Sequence, residues 1–361
     1  MNLKHIRQTQ GLSQKMMAEY LGISKSYLAQ LKNGSRPITD RLRQKIKAQM
    51  AENQAEKSAL ICTIDWVSLH FKTLAAADLV ETILGLDLDQ CYLEDYGRYR
   101  YPLYFRYGNI NIYVDPKDKN QGVTIECSGM GCRELEVLLV SQGRDWYALF
   151  NDCLLYENQN LQEEGKSFNV TRLDLALDEI YSETGNYDLR AFQSRLEQGL
   201  VRTRKRSYQV LTGADLGTEE ANHKGLTIYI GSRKSPLYFR FYQKDAERAK
   251  AEGISQADVH QIYGYKNRLE LVLRKGQADS FVRAYVADYF DMSERAIQLI
   301  NANIQVYADH EGHLDTDWYS LLGLKDSYSF RMQPRQVSLE KIWRWAEKAV
   351  LPTHALPKNH G

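Results

Sequence analysis

The stretch TRLDLALDE (171–179) alternates apolar and polar side chains, the period of a strand that buries one face. Leu173, Leu175 and Leu177 fall on one side, and Arg172, Asp174 and Asp178 on the other. Two later stretches keep the same parity. PLYFRFYQK (236–244) sets Leu237, Phe239 and Phe241 against Arg240, Tyr242 and Lys244. NRLELVLRK (267–275) sets Leu269, Leu271 and Leu273 against Arg268, Glu270 and Arg274. If the three strands share a sheet, carboxylates, cations and a tyrosine hydroxyl project from one face. A solvated sheet face is the alternative, but such faces favour Thr, Ser and Lys over acids flanked by arginines.

Outward from these strands, 361 residues suffice for two or three domains with a sizeable core. No apolar run reaches the length of a bilayer span, so no membrane insertion is expected. The N-terminus lacks the apolar region of a signal peptide, which points to the cytoplasm. The five cysteines are scattered and odd in number, the pattern of reduced thiols and not of a disulfide framework. Cys127 and Cys132 have no second pair nearby to complete a zinc site.

The net charge of +1 conceals an asymmetry. Residues 1–50 hold ten Lys and Arg against two acids, +8, so the remaining 311 residues sum to −7. A small basic unit on a mildly acidic body suggests a nucleic-acid-binding module joined to something else. Within it, Ser13 can cap a helix through Leu21, Gly22 supplies a turn, and Ser24 can cap the next helix, which Asn33 and Gly34 end. Helix, glycine turn, helix is the arrangement that sets a second helix in the major groove. LSQKMMAEYLGISKSYLAQLKNGSRP (12–37) resembles the helix-turn-helix of the Cro and repressor type. That resemblance directs Lys25, Ser26, Tyr27 and Gln30 at base edges and Gln14 at a phosphate. Residues 51–58 read as a polar linker.

From residue 59 the pattern is α+β. A strand (59–71) and an amphipathic helix (74–86) precede two strands separated by Gly108-Asn109, a hairpin turn signal. A further strand (122–129) leads into two helices (132–155). Ser128-Gly129-Met130-Gly131 lacks both the P-loop and the dinucleotide fingerprint, so nucleotide binding is not expected. After the first key strand come a helix (189–199) and the basic run VRTRKRSY (201–208), whose Arg204, Lys205 and Arg206 suit a DNA backbone. Helices are expected over 277–308, a polar acidic loop over 309–320, and an amphipathic helix over 338–352. The whole is an all-α head (1–50), a linker (51–58), a mainly antiparallel sheet domain with flanking helices (59–352) and a tail (353–361).

The polar face suggests its own chemistry. Asp174 and Glu270 offer hard oxygen ligands for Mg²⁺ or Mn²⁺, and such an ion can polarise a scissile phosphate. Tyr242 lies between two cations, Arg240 and Lys244, which favour its phenolate, a competent nucleophile. Tyr238 lies beside Pro236 at the strand start and is the second choice. The eight histidines include no His-hydrophobe-His pair.

The order Arg-x-Asp-x-x-x-Asp (172–178), Ile-Gly-Ser-Arg-x-Ser (230–235), Arg-Phe-Tyr-x-Lys (240–244) and Arg-x-Glu (268–270) resembles the replication initiation factor family. Its members are rolling-circle initiators of plasmids and relaxases of integrative and conjugative elements. ECSGMGCRELE (126–136) is similar to that family's strand-to-helix segment, which makes Arg133 a DNA contact. A repressor-like head resembles the relaxase branch more than the plasmid initiators. The resemblance implies a site- and strand-specific nickase that forms a 5′-phosphotyrosine link, with Tyr242 as nucleophile and Asp174 and Glu270 on the metal. Asp178 is a further candidate ligand, and Arg240, Lys244 and Arg268 are supporting residues. Arg233 and Arg268 join the DNA contacts. Gln243 stands where an acid is expected. The partners implied are origin DNA, as duplex at the head and single strand at the nick, with a helicase and a conjugation coupling protein. The alternatives are a plasmid rolling-circle initiator and a non-enzymatic DNA-binding regulator.

Overall fold

The computed structural model describes residues 18, 22–32, 35–36, 60–160, 168–183, 185–215 and 222–322. In chain order they form α1 (Lys25–Lys32), β1 (Leu60–Phe71), α2 (Ala76–Leu84), β2 (Tyr92–Leu93), β3 (Leu103–Tyr107), β4 (Ile110–Val114) and β5 (Val123–Ser128). Then come α3 (Met130–Ser141), α4 (Trp146–Asn160), β6 (Phe168–Ile180), α5 (Leu189–Glu197), β7 (Val201–Thr203), β8 (Tyr208–Asp215), β9 (Asn222–Ile230) and β10 (Leu237–Gln243). The remainder is α6 (Lys244–Glu252), α7 (Gln256–Tyr263), β11 (Tyr265–Arg274), α8 (Gly276–Asp288), α9 (Met292–Asn303), β12 (Ile304–Val306) and α10 (Thr316–Leu321). The class is α+β, as the alternation of apolar and polar residues predicts. Gln14 and the helix expected over 338–352 lie outside the described residues.

Two compact units emerge. The first takes Met1–Thr63, Leu175–Val272 and Phe290–Met332; the second takes Ile64–Asp174, Leu273–Tyr289 and Gln333–Gly361. The division cuts β6 after Asp174 and β11 after Val272.

In the first unit β6, β11, β10, β9 and β8 lie side by side in that order. The three key strands are therefore neighbours, with the Glu270 strand in the middle. β9 and β10 pair antiparallel with Tyr242 opposite Thr227. Alternation along β10 buries Phe239 and Phe241 fully. Phe241 meets Phe192 of α5 at 5.6 Å and Trp318 of α10 at 5.7 Å, and those two rings stack at 5.0 Å. This aromatic core fixes which way the odd-numbered residues point, and so sends Arg240 and Tyr242 to the opposite face. Asp315 caps α10 by accepting from the Trp318 N–H at 2.7 Å. The acidic stretch 309–320 thus ends in a helix that delivers a core tryptophan, and its second half is not the polar loop that its composition predicts. Acids near a helix start satisfy free N–H groups and favour the dipole.

In the second unit β2, β3, β4, β5 and β1 lie side by side. Gly108 and Asn109 form the predicted two-residue turn between β3 and β4, where Tyr107 pairs with Ile110. Gly108 has φ of +57°. Gly131 is required for another reason, since a Cβ there would come 2.4 Å from the Asn109 carbonyl oxygen. Phe71, Phe168 and Tyr156 gather in the core, with Phe71 and Phe168 centred 4.7 Å apart. No helix among the described residues is long and apolar enough to cross a membrane. The five cysteines are buried free thiols.

Candidate active site on the polar sheet face

The polar face of β10 and β11 is not solvated. Tyr242, Glu270, Asp178 and Arg268 are each less than a tenth exposed. Burying so many ionisable groups is costly unless they pair, and they do. The Tyr242 hydroxyl donates to Glu270 Oε1 at 3.0 Å. The Arg240 guanidinium donates to the same oxygen at 2.8 Å and lies 4.6 Å from the centre of the Tyr242 ring. Lys244 Nζ stands 5.5 Å from that ring and pairs with Glu247 at 2.5 Å. Period two along each strand sets up this row: Arg240, Tyr242 and Lys244 share one side of β10, and Arg268 and Glu270 share one side of β11.

Arg268 donates through Nε and Nη2 to both oxygens of Asp178, at 2.5 and 2.7 Å. Its Nη1 stands 3.9 Å from Glu270. One guanidinium therefore sits between two buried carboxylates. In the second unit Asp174 is likewise held by both oxygens, from Arg172 at 2.9 and 2.6 Å. Arg172 lies 3.8 Å over the Trp66 ring.

The electrostatics reverse one sequence-based expectation. Burial first, and then the Glu270 carboxylate, raise the Tyr242 pKa well above the usual phenol range, while Arg268 and Arg240 pull it down without prevailing. Neighbouring cations do not make a phenolate here. Instead Glu270 holds a neutral hydroxyl in a defined direction. The Arg240 pKa is raised, because the gain from Glu270 and Tyr242 outweighs its desolvation.

Carboxylates are the donor chemistry of a hard divalent ion, and the face tolerates positive charge between Asp178 and Glu270, where Arg268 already sits. In donor chemistry alone the residues suit Mg²⁺ or Mn²⁺, but Asp174, Asp178 and Glu270 do not bring three ligand atoms within 4.8 Å of one another. The two acids of β6 differ as ligands. The side chain of Arg268, which occupies Asp178, is 8% exposed, whereas that of Arg172, which occupies Asp174, is 23% exposed and more easily displaced by an ion. Among the described residues one group of three ligand types lies within 4.8 Å of one another, Asp309, Glu311 and His313. It is a turn in which His313 pairs with Asp309 at 2.6 Å and is 68% exposed.

The remaining predicted contacts are dispersed. Lys25, Ser26 and Gln30 are exposed on α1, and Tyr27 is half-buried. The opposite side of that helix buries Leu28 and Leu31, and the Tyr27 N–H is capped by Ser24 Oγ at 3.1 Å. Arg204, Arg206 and Arg233 are exposed. Arg233 lies 4.9 Å over Tyr229. Lys205 turns inward and donates to the Leu237 carbonyl at 2.8 Å. Arg133 reaches the Ile64 carbonyl and pairs with Glu136. Sequence inspection passes over Asp245, which is fully buried and binds both His260 and Lys266 at 2.8 Å. Its position three residues after Tyr242 was the available signal. Gln243 stands next to the tyrosine, and the next acid along the chain, Asp245, is engaged by His260 and Lys266.

Comparison with known proteins identifies the family. Residues 168–359 match the family model "Replication initiation factor", residues 61–152 "Rolling Circle replication initiation protein N-terminal domain", and residues 3–46 "Helix-turn-helix". A Bacillus subtilis (strain 168) protein named "Putative DNA relaxase NicK" is 28% identical over 308 residues, covering 84% of this chain and 82% of that one. The rolling circle replication initiator protein of Geobacillus stearothermophilus shares the fold, with a TM-score of 0.57, 23% identity and coverage of 73% of this chain and 96% of that one. With more than half its length matched by the family model, and the family's motifs on neighbouring strands, the chain belongs to the replication initiation factor family.

Proposed function

We propose that the chain is a DNA relaxase that nicks one strand of an origin of transfer and stays covalently attached to the 5′ phosphate. The observation that carries this is the hydrogen bond from the Tyr242 hydroxyl to Glu270, with Arg240 on the same carboxylate oxygen. A hydroxyl aimed by a buried acid and flanked by guanidinium groups is suited to attack a phosphodiester. Tyr242 Oη forms the new bond to phosphorus as the bond from phosphorus to the 3′ oxygen breaks. The phenolic proton has Glu270 Oε1 as its acceptor, and the departing 3′ oxygen takes up a proton to become a hydroxyl. Arg240, Arg268 and Lys244 hold the charge that builds on the phosphoryl oxygens. One phosphodiester is exchanged for another, so the step is reversible and the strand can be resealed. Mg²⁺ or Mn²⁺ held by Glu270 together with Asp174 or Asp178 would polarise the scissile phosphate.

In this assignment residues 1–50 bind duplex through Gln14, Lys25, Ser26, Tyr27 and Gln30, and 51–58 link them to the nicking domain, 59–352, with 353–361 as a tail. Arg133, Arg204, Arg206 and Arg233 contact DNA near the nick, and Lys205 supports that run from within by holding the Leu237 carbonyl. The relaxase name of the Bacillus subtilis relative supports the nicking role; conjugative transfer, with a helicase and a coupling protein as downstream partners, is the context assigned to it. The test is incubation of the full chain with labelled single-stranded origin oligonucleotide and Mn²⁺, followed by a denaturing gel. A protein–DNA adduct is expected with the natural chain and none with Tyr242→Phe. An undiminished adduct in that variant would remove Tyr242 as the nucleophile.

A further inference from the structure

The basic run after α5 does more than coat the surface. Alternation over Val201–Arg206 leaves Arg202, Arg204 and Arg206 exposed and turns Thr203 and Lys205 inward. Arg202 and Arg206 thereby stand at a cavity of about 330 Å³ whose apolar part is Leu196, Val201 and Ile230 and whose rim carries Tyr208. None of the residues around Tyr242 and Glu270 lines it.

Several contacts build this cavity. Arg202 is anchored by its guanidinium 4.4 Å over the Tyr307 ring. β7 pairs with β12, setting Arg202 opposite Gln305. Lys205 gives its ammonium group to the Leu237 carbonyl and closes the wall. Gly231 follows the floor residue Ile230 with φ of +91°, and a Cβ there would meet Lys205 at 3.1 Å. Tyr208 pairs with Ile230 at the start of β8 and remains 44% exposed. Among the described residues β8 is the last strand in the order. The result is two arginines, an exposed aromatic ring and an apolar floor around a space at the small end of ligand pockets, about 300–1,000 Å³.

That combination matches one ligand chemistry, a nucleotide. The arginines suit phosphate oxygens, the Tyr208 ring suits the face of a base, and Leu196 with Ile230 suits an unstacked base edge. We propose that the cavity takes a single unpaired nucleotide of the DNA strand, drawn out of the stack, and so sets the register of that strand on the protein. The inference rests on the nickase assignment only in naming the strand's source. The cavity would act before any chemistry, by binding.

The experiment uses full-length Tyr242→Phe protein, which needs no nicking, and single-stranded origin oligonucleotides carrying 2-aminopurine at each position in turn. One position is expected to change its fluorescence on binding, as an unstacked base does. Ser207→Trp, which fills the cavity mouth from an exposed position, and Arg202→Gln with Arg206→Gln should each abolish that response. Each should also weaken the oligonucleotide by roughly tenfold, with an unaltered melting temperature. An abasic site at the responding position should weaken binding to the same extent. Unchanged binding in Ser207→Trp, or responses spread evenly over all positions, overturns the proposal. So does tighter binding of free deoxynucleoside monophosphate than of the oligonucleotide, which would make the cavity a free-nucleotide site. Failure of the adduct assay with the natural chain would instead overturn the nickase assignment while leaving this binding result standing.

Discussion

Glu134, Glu157 and Asp279 of the second unit and Glu270 of the first are alike in burial, none more than 9% exposed, yet they engage different groups. Glu134 accepts from both the backbone and side-chain nitrogens of Asn109 and so pins the turn between β3 and β4. Glu157 accepts from the Phe168 N–H, and Asp279 from the Val170 N–H, while both hold Arg283. These acids bind the chain itself. Glu270 accepts from a tyrosine hydroxyl and a guanidinium, groups that a phosphate could engage in its place. The first unit contains its own control, because Glu179 is fully buried and binds the Tyr187 N–H like the acids of the second unit. Burial alone therefore does not distinguish a reactive acid from a structural one. The identity of its partners does.

The largest effect that could break this contrast is kinetic. Glu270→Gln should lower nicking by about a thousandfold, the upper range for losing one preorganised electrostatic contact. It should leave the melting temperature nearly unchanged, because the amide oxygen still accepts from Tyr242. Arg283→Ala should behave in the opposite way. It leaves Glu157 and Asp279 without their shared cation, and breaking a buried pair costs about 3 kcal/mol or more. Urea unfolding should show that loss, while nicking per folded molecule stays at its natural rate. If Arg283→Ala abolished nicking at full stability, or Glu270→Gln unfolded the protein, the distinction between the two kinds of acid would fail.

The alternation that separates these roles was legible in the sequence. Leu-x-Leu-x-Leu in β6 and β11 and Phe-x-Phe in β10 gave the strands, their buried side and the company Tyr242 keeps. The Gly108-Asn109 turn was equally local and equally readable. Three things were not. The strand order, with β11 between β6 and β10, depends on long-range pairing that no short window encodes. The burial of the polar face was hidden for the same reason, and it turns the expected effect of Arg240 and Lys244 on Tyr242 into a minor one. The cavity beside β7 was missed because a run of Arg and Lys reads alike whether it is solvated or lines a space. Only the inward turn of Lys205 toward Leu237 tells the two apart.

Smaller effects sharpen the division between Asp174 and Asp178. Asp174→Asn should raise the Mn²⁺ concentration for half-maximal nicking by at least the roughly tenfold that even outer partners of a metal cost. Asp178→Asn should slow nicking with that midpoint unchanged, because Arg268 already takes both Asp178 oxygens. A shifted midpoint in Asp178→Asn alone would exchange the two roles.

The smallest effect concerns the second unit alone. His70 on β1 is half-buried, with Nδ1 3.0 Å from Thr124 Oγ1. Burial lowers its pKa below the ordinary 6.5, Lys72 adds to the lowering, and a backbone hydrogen bond with Asn120 opposes it. The folded state therefore binds fewer protons at this ring than the unfolded chain does between the depressed value and 6.5. Stability from this group is complete above 6.5 and is lost as the pH falls through that window. Unfolding by urea at about pH 7.5 and about pH 5.5, on either side of the ordinary imidazole value, should show a lower midpoint in acid. His70→Gln, which keeps a hydrogen-bonding group for Thr124 and cannot titrate, should reduce that difference. Glu270→Gln should leave it intact, since the contribution belongs to a ring on β1 and not to the reactive face. An acid-induced loss of the same size in His70→Gln would assign it to other groups and remove His70 from the account.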